Sequence, residues 1–257
     1  MEKLFNIKIY RLLLSFPFLL TFLTHSVTSI ATQSDHSARS LEEEVSRILV
    51  KTIKCKKVEV QIKFAKEKAG ALKSLAIKFD DIILGPMMAD HMTLIYEDPV
   101  IDLIRLKKEK EFKILSYSKN KVGILISAKS IEAYLEHKAK QFEKKYNRIS
   151  IKFSPPYLEC LFDVPASEVS PETLQLVKPF VKNAKLEGYA AFRMEAKDNA
   201  LYASSSKVIV NHFLVPERIL RELQNRFNPF DAIPTLHPFQ YSMNHVTVQN
   251  QYIFLSN

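Results

Sequence analysis

"VEVQIKF", Val58 to Phe64, alternates Val58, Val60, Ile62 and Phe64 with Glu59, Gln61 and Lys63. Successive side chains of a strand point to opposite faces, so this period of two puts the apolar set on one side and the polar set on the other. A sheet with one buried and one wet face is characteristic of antiparallel pairing. The pattern repeats at Leu75, Ile77 and Phe79, and again at Met92, Leu94 and Tyr96. Between these runs the parity shifts at Asp80-Asp81, before Ile82 and Leu84, which predicts a bulge or turn there. Further strands are expected over 100–106, 112–117 and 122–127, and, past a helix, at Ile149 to Phe153 and Leu158 to Val164. Later alternation marks 186–194, 201–205, 208–214, Phe239-Tyr241-Met243, Val246-Val248 and 252–255. Short links between them predict an antiparallel meander.

Three helices interrupt this run. Ser40-Leu41-Glu42-Glu43 has the form of a capping box, opening a helix that carries Leu41, Val45, Ile48 and Thr52 at helical spacing. A second, with Ser127 or Ser130 as its cap, places Ile131, Leu135, Ala139, Phe142 and Tyr146 on one stripe. A third runs from Glu217 to Phe227 with Pro216 as its first residue and Leu220, Leu223 and Phe227 inward. About ten strands punctuated by single helices make an α+β domain with a mostly antiparallel sheet. The segment 165–180 is a loop or short helix.

The chain has 257 residues, a net charge of +9 and only four glycines. Too few glycines remain for a dinucleotide fingerprint or a phosphate-cradling loop. Residues 1–31 have the form of an export signal: Lys3, Lys8 and Arg11 precede the apolar run from Leu12 to Leu23, and Ser29-Ile30-Ala31 fits a cleavage site. The run is shorter than the roughly 20 residues a spanning helix needs. Cleavage after Ala31 would remove three basic residues and one acidic, lowering the charge from +9 to +7. Residues 32–39 then form a polar lead-in, and 40–257 a single domain with two loosely similar halves, about 40–147 and 148–257, each containing a strand run, a cap and a helix, the helices ending at Tyr146 and Phe227. An exported basic protein meets anionic envelope polymers and lipid headgroups rather than nucleic acid. Cys55 and Cys160 are the two cysteines. In an oxidising compartment they either pair, closing a loop worth roughly 4–5 kcal/mol, or stay as buried thiols.

Catalytic patterns are weak. The histidines stand singly, without metal-ligand spacing. Asp90-His91 with Asp98 or Asp102 is the nearest constellation, and strand neighbours point to opposite faces. Ser204-Ser205-Ser206 with His212 and Asp198 lacks the sharp turn of a hydrolase nucleophile. Carboxylate pairs drawn from Asp80, Asp81, Glu97 and Asp98 carry no ranking. No catalytic residue, metal or cofactor is expected.

One segment stands apart. "NPFDAIPTLHPFQYSM", Asn228 to Met243, sets Pro229, Pro234 and Pro238 among Phe230, Ile233, Leu236, Phe239 and Tyr241. Proline fixes φ and removes a donor, so the segment is a rigid non-helical apolar strap. Together with "SAKSIEAYLEHK", "HFLVPERILRELQNRFNPF" and the terminal "IPTLHPFQYSMNHVTVQNQYIFLSN", it resembles the LmeA-like phospholipid-binding family of bacterial envelope proteins, over about Val58 to Leu255. That resemblance implies an architecture similar to tubular lipid-binding (TULIP) proteins: a curved, mostly antiparallel sheet wrapped around amphipathic helices with an apolar groove for acyl chains. It also implies a periplasmic or envelope location and anionic phospholipid as partner.

On this reading Ile131, Leu135, Phe142, Leu220, Leu223, Phe227, Phe230, Ile233, Leu236, Phe239 and Tyr241 line the groove, and Lys107, Lys108, Lys138 and Lys145 meet headgroups. Each buried CH₂ would contribute about 0.8 kcal/mol and each rim lysine about 1 kcal/mol near an anionic surface. Such a protein serves lipid transport or envelope maintenance, with peripheral membrane contact and no nucleic acid. The alternatives are an envelope enzyme acting on a lipid-linked or polysaccharide substrate, and a structural adaptor with a filled core.

Overall fold

The computed structural model describes residues 38–65, 71–141, 145, 147–197, 200–226 and 236–257. A helix, α1, covers 38–52. Ser40 lies inside it rather than capping it, and Glu42 turns outward to accept the backbone N–H of Ile62 at 2.6 Å. The alternating runs form β1 (Lys57–Phe64), β2 (Leu72–Leu84) and β3 (Met87–Glu97), paired antiparallel in that order. Val58, Val60 and Ile62 are buried as the alternation requires. Asp81 takes a left-handed φ of 49°, which lets β2 continue as one strand through the parity shift.

The expected strand over 100–106 is instead β4 (Val100–Ile101) followed by α2 (Leu103–Lys108). The reason is local: Asp102 accepts the N–H groups of Ile104 and Arg105 at 3.1 and 3.0 Å, which starts a helix. β5 (Ile114–Ser116) pairs only with β4, and β6 (Lys119–Ser127) returns to β3. Helix α3 (Ala128–Gln141) follows.

The second half builds a separate meander: β7 (Arg148–Ser154), β8 (Tyr157–Pro165), β9 (Lys185–Lys197), β10 (Ala200–Val210) and β11 (Phe213–Leu214). Between β8 and β9 lies α4 (Pro171–Val177), flanked by single 3₁₀ turns. The runs 201–205 and 208–214 are mostly one strand, β10, whose register shifts between Ser205 and Lys207. Helix α5 (Glu217–Arg226) follows Pro216, whose carbonyl accepts from Ile219 and Leu220.

The end of the chain goes back to the first sheet. β12 (His245–Val248) and β13 (Tyr252–Ser256) complete the order β1-β2-β3-β6-β13-β12, opposite the five-stranded order β11-β10-β9-β8-β7. Phe239, Tyr241 and Met243, expected as a strand, are irregular here. The result is α+β, with curved, mostly antiparallel sheets and a few helices. The main apolar cluster joins α1 and the six-stranded sheet to Ile151, Phe153, Leu158, Met194 and Leu201 of the other sheet. A smaller cluster gathers Val177, Leu186, Val210, Val215 and Leu220.

Candidate functional site

Helix α3 is the element the two sheets share, packing on β3 and β6 of one and β7 of the other. Its sequence supplies both attachments. At its start, Ser127 accepts from the Ser130 N–H at 3.3 Å. Asp90 of β3 accepts from the Ser127 N–H and from the Ser127 and Ser130 hydroxyls at 2.6, 2.9 and 3.0 Å. Ser130 is 1% exposed, so these bonds satisfy a polar group that burial would otherwise penalise. One turn on, Glu132 accepts the Ile151 N–H of β7 at 2.7 Å. The apolar stripe is centred on Ile131 and Tyr134, with Leu135 half-buried on its flank.

The described end of the strap closes the main cluster. The Phe239 ring lies 5.9 Å from Phe79, 6.4 Å from Tyr96 and 6.0 Å from Phe112, centroid to centroid. The Tyr241 hydroxyl accepts the Leu236 N–H at 3.3 Å, and Asn120 holds the Gln240 carbonyl at 2.8 Å. Burial pushes the Tyr241 phenol above its ordinary range. Phe239 and Tyr241, from the described end of the strap, therefore pack as a plug on the six-stranded sheet.

The expected groove wall is divided by this arrangement. Ile131, Phe239 and Tyr241 are packed inside the main cluster, with Leu135 and Leu236 at its margin, while Leu220 belongs to the smaller cluster. Among the described residues the expected lining is thus shared between the two clusters, with α5 packed on β10. Phe142, Phe227, Phe230, Ile233 and the side chain of Leu223 lie outside the described residues.

The rim lysines fall in two places. Lys107 and Lys108 end α2, near α1, where Lys110 pairs with Glu44 at 2.8 Å. Lys138 lies 5.9 Å over the Tyr134 ring on α3, and the Lys145 N–H reaches Glu168 at 3.3 Å. Cys55 and Cys160 are free thiols, one just ahead of β1 and the other on β8. Burial pushes Cys160 up to about 11 and raises Cys55 as well.

Most of the weighed catalytic candidates make structural bonds, and Asp198 lies outside the described residues. His91 pairs with Asp80 at 2.8 Å, Asp81 with Lys56 at 3.4 Å and Glu97 with Lys121 at 3.9 Å. Asp98 accepts from the Ser118 hydroxyl, and Asp102 caps α2. Ser204 and Ser206 donate to carbonyls of β9, and His212 lies in a hairpin turn. Among the described residues no group of three His, Cys, Asp or Glu side chains could hold a metal, and no helix is long and apolar enough to cross a membrane.

One concavity was not foreseen. The outer face of the six-stranded sheet carries a depression of about 460 Å³ among His91, Thr93, Ile95, Lys121, Leu125 and Phe254. Gly123 makes it: a Cβ there would meet the Phe254 ring at 3.0 Å. The lone glycine in an otherwise alternating strand was the available signal.

Comparison with protein-family models, with curated proteins and with solved structures gives no match.

Proposed function

We infer that the protein binds phospholipid acyl chains within an exported domain of the cell envelope, serving lipid transport or envelope maintenance. The observation that carries this reading is the apolar cluster that runs from the six-stranded sheet through α3 into the five-stranded sheet, with Phe239, Tyr241 and Met243 from the described end of the strap packed into it. Its margin is half-buried and apolar on elements from both sheets: Leu135 on α3, Phe192 on β9, Ala203 on β10, Leu236 on the strap and Val246 on β12. β12 and β9 lie against each other, so the sheets meet at a seam. An acyl chain enters along this seam as the strap yields. Burying each CH₂ there contributes about 0.8 kcal/mol, against the cost of displacing strap contacts. Lys138, near the C-terminal end of α3, and Lys145, beyond it, supply positive charge for the headgroup.

No residue is assigned a catalytic role. The adaptor reading is favoured by the tight burial of Phe239 and Tyr241, and it expects a lipid-free protein. The two are separated by expressing the full sequence in an exporting host, purifying the protein and extracting it with organic solvent for mass spectrometry. Phospholipid near one per chain, depleted by Leu135→Gln in a folded variant, supports lipid binding. Lipid-free protein after detergent-free purification refutes it.

A further inference from the structure

The hairpin joining β10 to β11 turns on two residues, Asn211 and His212, with left-handed φ of 47° and 73°. Such a turn matches the twist of the flanking strands and favours Asn at a positive φ. Asn211 is also pinned. Its amide donates to the carbonyls of Phe180 and Lys185 at 2.7 and 2.9 Å, and its side-chain oxygen accepts the Glu187 N–H at 3.1 Å. Its own N–H reaches the Glu187 carbonyl at 2.7 Å. The turn is thereby fastened to the 3₁₀ turn Lys178–Phe180 and to the start of β9.

Beyond this fastening, Phe213 is 57% and Leu214 63% exposed. A single exposed apolar residue is ordinary. Two large neighbours held out on a pinned hairpin are a different case, because the fold spends four hydrogen bonds on the turn that presents them. The Phe213 ring stands 6.3 Å from Phe180. Lys178 and Lys182, two residues to either side of Phe180, are exposed and without an ion-pair partner among the described residues. Of the nearby carboxylates, Asp163 and Glu187 share Lys185 at 3.7 and 3.1 Å, and Glu217 lies 3.9 Å from Arg221.

We propose that this tip docks the protein on an anionic phospholipid bilayer, Phe213 and Leu214 entering the boundary between headgroups and acyl chains while Lys178 and Lys182 remain among the phosphates. Exposed apolar side chains with cations nearby are the chemistry that interface selects. A second copy of the chain fits poorly. β11 offers two residues of edge, Val215 is already bonded to Val208, and Pro216 has no N–H to extend a ladder. Two side chains also fall far short of the roughly 800 Å² per partner of a standard interface. The proposal deepens the lipid reading by naming how the protein meets the membrane, and it rests on that reading for its compartment but not on an occupied seam.

The chain contains no tryptophan, so Phe213→Trp places a single local reporter at the tip. The full-length variant is mixed with vesicles of phosphatidylcholine alone or with phosphatidylglycerol added. The expected result is a blue-shifted emission on the anionic vesicles, quenched by brominated acyl chains. Lys178→Gln and Lys182→Gln should each weaken that binding about fivefold. Unchanged emission on anionic vesicles, equal affinity for neutral ones, or a blue shift that tracks protein concentration without vesicles would each overturn the proposal. Should Phe213→Trp disturb the circular dichroism spectrum, Leu214→Trp gives the same reading. Lipid extracted from the same preparation reports separately on the seam: extractable lipid without a blue shift sinks the tip alone, and a blue shift on lipid-free protein sinks the seam alone.

Discussion

Glu132 of α3 accepts the backbone N–H of Ile151 at 2.7 Å, and this bond ties the helix to the five-stranded sheet. Asp90 ties the other side of the same helix turn to the six-stranded sheet. Glu42 does the same for the edge strand β1, accepting from Ile62 at 2.6 Å. In both cases a helical glutamate caps an edge N–H that no strand pairs. Glu132→Leu leaves the N–H of Ile151, a residue 6% exposed, without an acceptor. A loss of about 1–3 kcal/mol is expected in urea unfolding, whereas Glu132→Gln, which keeps a carbonyl oxygen, should recover most of it.

Tyr96 is fully buried, and its hydroxyl has no hydrogen-bond partner among the described residues. Burial holds its phenol far above the ordinary range. Tyr96→Phe removes the unsatisfied group while keeping the ring against Tyr117 and Phe239. A gain of about 1 kcal/mol is expected, read as a higher denaturation midpoint with an unchanged slope. A loss of stability would show that the hydroxyl is satisfied in solution.

Gly188 admits no side chain. A Cβ there would lie 2.1 Å from the Ile209 carbonyl oxygen and 2.9 Å from the Phe162 ring. Gly188→Ala must part β9 from β10, costing about 3 kcal/mol or more. Gly123→Ala meets only the movable end of the Phe254 ring and should cost about 1 kcal/mol. Thermal unfolding of the two variants checks the order.

Cys160 loses its proton at about 11 in the folded protein, against an ordinary 9.0. Between those values the folded chain keeps a proton that the unfolded chain has lost, so stability falls as pH rises through that window and is unaffected below it. Alkylation of folded protein at pH 8 should be slow at Cys160 and accelerate on unfolding. Fast labelling of the folded protein would contradict the burial of this thiol.

Much of the local structure was legible. The alternation from Val58 to Ile62 marks a strand whose apolar face is buried, and Ser127 and Pro216 open the second and third expected helices where their chemistry requires. Long-range pairing was not: nothing local to Tyr252–Ser256 tells it to join Lys119–Ser127, and that choice sends the chain's end into the first sheet. Val100 to Leu106 alternates well enough for a strand, but the Asp102 carboxylate decides for a helix. Most of the strap's prolines lie outside the described residues. Its apolar residues, however, do not announce whether they line a slot or fill a core, and Phe239 fills one. The run 208–214, expected as one strand, turns back at Asn211-His212, and the buried role of Asn211 depends on carbonyls from Phe180 and Lys185 that only the fold brings near.

The central claim is that the seam between the sheets takes a phospholipid. Native mass spectrometry of the full-length protein, expressed with export and purified without detergent, tests it most directly. A population heavier by the mass of one phospholipid, lost on mild activation and diminished by Leu135→Gln, is the predicted result. A single species at the mass of the polypeptide, unchanged after incubation with phospholipid vesicles, would contradict it.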